Sequence, residues 1–367
     1  MRHGKKTAAL LMASALTMGI LAGCGDSNTA ATEANTAVAA DTAEATDAAA
    51  AKTTAEDTEE TTTAAAEETE AQKADGFSIR YPSYLTETVG ESLEMDEKPE
   101  HIICLSNSAL QILVRCDIQP IAITSPGTGI DYPDWVDELP VIETGKSEVD
   151  SESIISMEPD LVIMGSHLQE DYGPILEGAG IPVYYTSEGP SITYNEVKEE
   201  ATVLSEAFGG EEEKEEILAE FEALENRAAE YKESHESKQM MILFSAPPSY
   251  QQTSQGYLGS MLSMLPFENM SDTLIDPSSR TAPLDLEKLV EINPEILFAI
   301  SPTMSTAEAL QASYEEEFAN NPQIWDNLQA VSNDNIIYLS NEYVTSKGIQ
   351  IIKSMNALMD MLEEKLG

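Results

Sequence analysis

Apolar residues recur along this chain at two spacings, and one combination of the two occurs twice. Asp150-Ser-Glu-Ser-Ile-Ile-Ser-Met-Glu-Pro-Asp-Leu-Val-Ile163 and Asp285-Leu-Glu-Lys-Leu-Val-Glu-Ile-Asn-Pro-Glu-Ile-Leu-Phe298 repeat one another. Ile154, Ile155 and Met157, then Leu289, Val290 and Ile292, keep helical spacing, and a proline ends each helix before an apolar run of strand length. Each copy predicts one helix-to-strand step of a parallel α/β sheet. The duplication predicts two similar lobes with a ligand cleft between them.

The remaining pattern fills in both lobes. Tyr84–Met95 reads as a Gly90-centred turn between strand-like flanks, and strands follow at Ile102–Leu105, Ile121–Ile123, Leu161–Met164 and Val183–Tyr185, with a helix opening at Ser106. An amphipathic helix from Tyr194 stops at Gly209-Gly210. A second, from Glu211 to about Ser234, would be about 36 Å long at 1.5 Å per residue. A second α/β series then runs from Met240–Phe244 through a helix at Gly259–Leu265, the repeated step, a strand at Ile336–Leu339 and a helix at Ile349–Lys365. The expected fold is α/β, two Rossmann-like lobes (77–208 and 238–367) joined by a single long α-helix within 209–237. A single stiff connection permits only modest hinge closure.

The N-terminus changes the picture of where this body works. Lys5-Lys6 precede an apolar run from Ala8 to Leu21, too short to span a bilayer comfortably and ended by small residues before Cys24. That matches an export signal over 1–23. Leu21-Ala-Gly-Cys24 resembles the lipobox of bacterial lipoproteins, which implies acylation of Cys24 and a membrane anchor on the extracytoplasmic face. Residues 24–76 are dominated by Ala, Thr, Glu and Asp, with Lys52 and Lys73 as the only cations, and such a segment predicts a disordered acidic spacer. Removing the spacer's −11 and the leader's +3 from the total of −47 leaves −39 on the two-lobed body. That charge excludes nucleic acid as a partner. Cys104 and Cys116 lack metal-type spacing, and a buried, reduced state is expected for both.

Over about residues 84–367 these features together resemble the helical-backbone class of ABC-transporter substrate-binding proteins, the group that captures ferric siderophores, haem and cobalamin. The resemblance rests on Gly90, Lys98-Pro99 before the first buried strand, Leu105-Ser106 and Ser108 after it, Tyr132-Pro133, and above all the stretches Glu152–Val162 and Glu287–Leu297. His101 stands where the family usually shows Arg. The resemblance implies a monomeric binding protein, not an enzyme, that hands a small-molecule metal chelate to an ABC permease. It also implies docking of Glu152 and Glu287, equivalent residues of the two repeats, on permease arginines. Independently of the family, both are first-turn glutamates, a placement the helix dipole favours by itself.

Open α/β sheets bind ligands beyond the carboxyl ends of their strands, so the residues after each strand are the ligand candidates. In lobe 1 these are Asn107, Ser108, Asp131, Tyr132, Trp135, His167 and Tyr194. In lobe 2 they are Tyr250, Gln251, Gln252, Tyr257, Arg280, Met304 and Tyr343. Aromatic faces and amides suit a large, partly flat chelate. Arg280, the only arginine of lobe 2, either meets an anionic ligand group or neutralises Asp276 and Asp285. His167 is either an axial haem ligand or a solvated loop histidine. The four histidines sit on separate elements, which disfavours a bare metal ion, and no cofactor is expected. The chain carries no Gly-x-Ser-x-Gly elbow and no phosphate loop, so an exported enzyme would have to use scattered groups. A surface adhesin or receptor would also suit a long spacer.

Overall fold

In the computed structural model, residues 76–366 are described, apart from 128, 145–148, 188–191, 248–249, 277 and 346. The leader, Cys24 and the spacer through residue 75 lie outside the described residues.

Lobe 1 opens with strand β1 (Phe77–Arg80), helix α1 (Thr86–Val89) and strand β2 (Ser92–Met95). The first flank of the Gly90 turn is therefore helical, and the partner of β2 is β1, an antiparallel neighbour whose alternation turns Ile79 fully inward. Gly90 itself sits at φ +95°, where a side chain would be strained. Next come β3 (Ile102–Cys104), α2 (Asn107–Arg115), β4 (Ala122–Ile123), α3 (Ser151–Ser156), β5 (Leu161–Gly165), α4 (Gln169–Gly178) and β6 (Val183–Thr186). The four strands β3 to β6 form an all-parallel sheet in the order β4-β3-β5-β6. Buried on both faces, these strands carry near-continuous apolar runs.

Helix α5 (Tyr194–Ser234) is two helices that fold back on one another at Gly210, whose φ is +82°. Lys198 and Glu225, 27 residues apart, meet at 2.6 Å, and the rings of Tyr194 and Phe221 lie 5.7 Å apart edge to face. A straight helix would separate Lys198 and Glu225 by about 40 Å. The second arm carries the chain into lobe 2.

Lobe 2 comprises β7 (Lys238–Phe244), β8 (Tyr250–Gln252), α6 (Tyr257–Ser263), β9 (Phe267–Asn269), β10 (Thr281–Pro283), α7 (Leu286–Ile292) and β11 (Ile296–Ile300). After these come α8 (Ala307–Asn320), α9 (Pro322–Trp325), α10 (Gln329–Ser332), β12 (Ile336–Leu339), α11 (Glu342–Thr345) and α12 (Gln350–Leu366). The sheet order is β10-β8-β7-β11-β12, with β9 also paired to β7. Here β7, β11 and β12 are parallel, as β3, β5 and β6 are, while an antiparallel β8 stands where lobe 1 has β4. Met240, Ile242, Ile296 and Phe298 face a core continuous with lobe 1 through α5 and α12. Their neighbours Met241, Leu243, Leu297 and Ala299 face a second cluster around Trp325 and Tyr314. The strand period of two thus supplies both cores.

The repeated step has the same construction twice. Asp150 caps α3 by accepting from the Ser153 amide, and Asp285 caps α7 by accepting from the Glu287 and Lys288 amides. Glu158 (φ +50°) and Asn293 (φ +51°), each just before the proline, reverse the chain in the left-handed region. The acid after the proline then serves the neighbouring parallel strand. Asp160 accepts from the Glu100 and His101 amides at 2.8 and 2.9 Å, and Glu295 accepts from the Gln239 amide at 3.1 Å. These amides sit at the amino ends of β3 and β7. Asp160→Ala is expected to destabilise the fold by about 1 to 2 kcal/mol in urea denaturation, the loss of charge-assisted bonds at a half-exposed site.

Candidate functional site

Parallel strands in both lobes bring their carboxyl ends, and the residues after them, to one edge of each sheet. After β3, Ser106 caps α2 through the Ala109 amide, which fixes the first turn that carries Asn107 and Ser108. The Asn107 carboxamide accepts from the Gly127 amide at 2.9 Å and donates to the Ser125 carbonyl at 3.3 Å, so it pins the loop that follows β4. Ser108 is buried, and its hydroxyl donates to Glu200 at 2.5 Å. Tyr132 and Trp135 pack half-buried against the main core, with Tyr132 in a groove of about 200 Å³ shared with Gln111, Ile130, Ile349 and Gln350. His167 is exposed on the single turn that follows β5.

In lobe 2 the candidates divide by exposure. Tyr250 is 45% exposed and open to a ligand, whereas Tyr257 (1%), Gln251 (3%) and Tyr343 (3%) are walled in. Those three form the packing beneath the surface in this conformation rather than the surface itself. Burial, with the charge of Glu342 adding to it, pushes the Tyr343 phenol up to about 12, and burial alone raises Tyr257 further. Gln252 is also buried, and its carbonyl accepts from the Gly259 amide to hold α6. Met304 packs half-buried on the second core. Arg280 pairs with neither Asp276 nor Asp285, which are engaged by Ser278 and by the α7 amides. Its guanidinium instead lies 3.4 Å from Glu196 on the first turn of α5.

Contacts between the lobes flank these loops. Beside the Arg280–Glu196 pair, the Tyr194 amide donates to Ser260 Oγ at 2.9 Å. Gln111 of α2 accepts from the Gln350 amide at 2.8 Å and donates to the Lys347 carbonyl, so one carboxamide serves both sides of the turn leading into α12. Gln350 donates back to the Gly129 carbonyl at 3.0 Å, and Lys353 pairs with Asp131 at 2.6 Å. That pairing places Asp131 below the usual carboxylate range, through the hydrogen bond from Lys353 and then its charge. Gly348, at φ +84°, lets its backbone approach the Ser108 Cα, which a Cβ would meet at 2.9 Å. Gln111, Glu196, Glu200 and Gln350 are absent from the sequence-derived set. Glu200 alone left a sequence signal, a carboxylate on the inward stripe of Val197, Ala201 and Leu204.

Glu152 and Glu287 are both exposed in the first turns of α3 and α7. A concavity of about 640 Å³ lies at the amino-terminal edge of the lobe 1 strands, lined by Glu94, Asp96, Glu97, Glu100, Asp160 and Lys98. It lies away from the loops after the strands. Among the described residues no three His, Cys, Asp or Glu side chains converge as metal ligands, and no helix is long and apolar enough to cross a membrane. Cys104 and Cys116 are not joined in a disulfide; the Cys104 thiol donates to the Ser106 carbonyl at 3.2 Å, and burial pushes Cys116 up to about 11.

The model of the periplasmic binding protein family matches residues 102–343. No curated protein matches the chain. Among solved structures the chain is similar to an ABC transporter substrate-binding protein from Listeria monocytogenes EGD-e, at 20% identity and a TM-score of 0.61, over 73% of this chain and 100% of that one. It is similar as well to the periplasmic catecholate-siderophore binding protein VctP of Vibrio cholerae, at 18% identity and a TM-score of 0.58, over 78% and 100% of the two chains. IsdE of S. aureus complexed with heme aligns at 18% identity with a TM-score of 0.57, over 71% and 97%. Two parallel-stranded lobes, one helical crossing and a family match that runs from β3 in lobe 1 to α11 in lobe 2 establish that the chain belongs to the periplasmic binding protein family.

Proposed function

We propose that this protein is an extracytoplasmic substrate-binding lipoprotein of an ABC importer. It captures a chelated-iron compound, a ferric siderophore ahead of haem or cobalamin, and delivers it to the permease. The observation that carries this reading is the pairing of two α/β lobes whose strand-end loops present Asn107, Tyr132, Trp135 and His167 from one side and Tyr250 and Arg280 from the other. Aromatic and amide groups suit a broad chelate, and the guanidinium of Arg280, now held by Glu196, suits an anionic one. The neighbours named for catecholate siderophore and heme support the ligand class. Cys24 serves as the lipidated anchor, the acidic spacer lifts the body off the bilayer, and Glu152 and Glu287 dock on permease arginines. No step of this role needs catalysis.

Absorbance titration of the purified two-lobed body with ferric catecholate, hydroxamate and carboxylate chelates, haemin and cobalamin tests the reading. One ferric chelate is expected to bind with Kd of about 1 μM or tighter, equivalent to about −8 kcal/mol. A Soret band would move the assignment to haem. Failure of every probe would remove the importer role and favour a receptor for a macromolecule.

A further inference from the structure

We propose that Glu200 is a positioning residue that shapes the ligand face of lobe 1, an inference that rests on the binding role proposed above. Its carboxylate is 2% exposed, on the inward side of the first arm of α5. Oε1 accepts from Ser108 Oγ at 2.5 Å, while Oε2 accepts from the Ser187 amide at 2.9 Å and from the Tyr84 hydroxyl at 3.2 Å. Ser108 belongs to the turn after β3, and Ser187 follows β6. Strand β5 lies between those two strands, so no backbone ladder ties one loop to the other. Glu200 does so with a single side chain. Through Tyr84 it also fastens the segment between β1 and α1.

The surroundings suit a carboxylate. Burying one costs several kcal/mol unless donors surround it, and all three groups here donate. Only the Ser187 amide is restricted to donating, since the Ser108 and Tyr84 hydroxyls can also accept, so the oxygen that faces Ser187 is the one this position must keep. The Tyr84 phenol is itself held protonated, first by burial and then by the charge of Glu200. The Ser106 and Ser108 hydroxyls, 3.0 Å apart, extend the network to the capping residue of α2. A ligand that touches Asn107 therefore meets a turn whose placement Glu200 sets.

Glu200→Ala in the two-lobed body, which removes every acceptor, is the direct test, read by amide hydrogen exchange and by titration with a ferric tris-catecholate and with haemin. Exchange at the Ser187 amide is expected to accelerate by about tenfold or more, and the Kd of whichever probe the unaltered protein binds to rise by about tenfold. If Glu200→Ala fails to fold, the pair Ser108→Ala and Tyr84→Phe keeps the charge while removing two donors, and the same two changes are expected in smaller degree. Unchanged exchange at Ser187 would overturn the proposal. So would an unchanged Kd alongside a lowered thermal midpoint, which would make Glu200 a stabilising group only. If the unaltered protein binds neither probe, the ligand assignment fails while Ser187 exchange still decides the role of Glu200.

Discussion

Charge reversal at both repeats, Glu152→Arg with Glu287→Arg, is expected to reduce uptake by about a hundredfold or more while leaving ligand affinity within about twofold. Both glutamates are exposed, and in α7 the neighbouring Lys288 pairs with Glu291 rather than with Glu287. Their helices are started by Asp150 and Asp285, which the substitutions leave in place. If the two residues served only the helix dipole, each reversal would cost about 0.3 to 1 kcal/mol of stability and uptake would persist. Glu308, the exposed first-turn glutamate of α8, is outside the repeat and makes a matched control. Glu308→Arg pays the same dipole cost and is expected to leave uptake intact. Uptake retained in the double variant would leave both glutamates as helix-terminal charges.

The repeat made the fold legible because its markers are local. Pro159 and Pro294 end their helices wherever they occur, and the apolar runs after them are too short and too continuous for anything but buried strands. Gly209-Gly210 likewise marked the break within α5, though not that the two arms fold back on one another. The strands β8, β9 and β10 left no such mark, since three residues hold barely more than one period of alternation. The task of Asp160 was hidden for a different reason: its partners are 59 and 60 residues away, and spacing carries no information about a contact that only the sheet creates.

The sequence located the candidate loops along the sheets but not how their side chains turn. Topology sent the segments after β3, β4, β5 and β7 to the sheet edges, and with them Asn107, Tyr132, His167 and, at the start of β8, Tyr250. Whether a side chain in such a loop turns outward depends on packing. Tyr257 and Tyr343 turn inward because a phenol ring buries a large apolar area, and the cleft-side aromatic count was overestimated to that extent. Polar groups erred in the other direction. Gln111 and Glu200 bury their heads because partners 236 and 13 residues distant in sequence meet them, a coincidence of tertiary placement.

Gly259→Ala is expected to destabilise lobe 2 by about 3 kcal/mol or more, lowering its thermal midpoint by about 6 to 12 °C. A Cβ at Gly259 would lie 1.9 Å from the Thr253 carbonyl oxygen and 3.0 Å from the Ser254 Cα, both backbone atoms. Neither can swing aside cheaply. Thr253 is fixed by its amide on the Arg280 carbonyl at 2.9 Å and by its hydroxyl on the Ser279 carbonyl at 2.9 Å, and its own carbonyl accepts from the Gly256 amide at 3.0 Å. Helix α6 would have to lift instead, drawing its amide at residue 259 off Gln252 and its neighbour Ser260 off the Tyr194 amide. Loss of the second contact would loosen the seam between the lobes, and displacement of Thr253 would carry Arg280 with it. Ligand affinity is therefore expected to fall along with stability. Gly178→Ala in α4 provides the contrast, because nothing lies within 4 Å of its Cβ position and alanine there is expected to be neutral or to stabilise by about 0.5 to 1 kcal/mol. Equal midpoints for the two variants would show that α6 can shift without disturbing the backbone at Thr253.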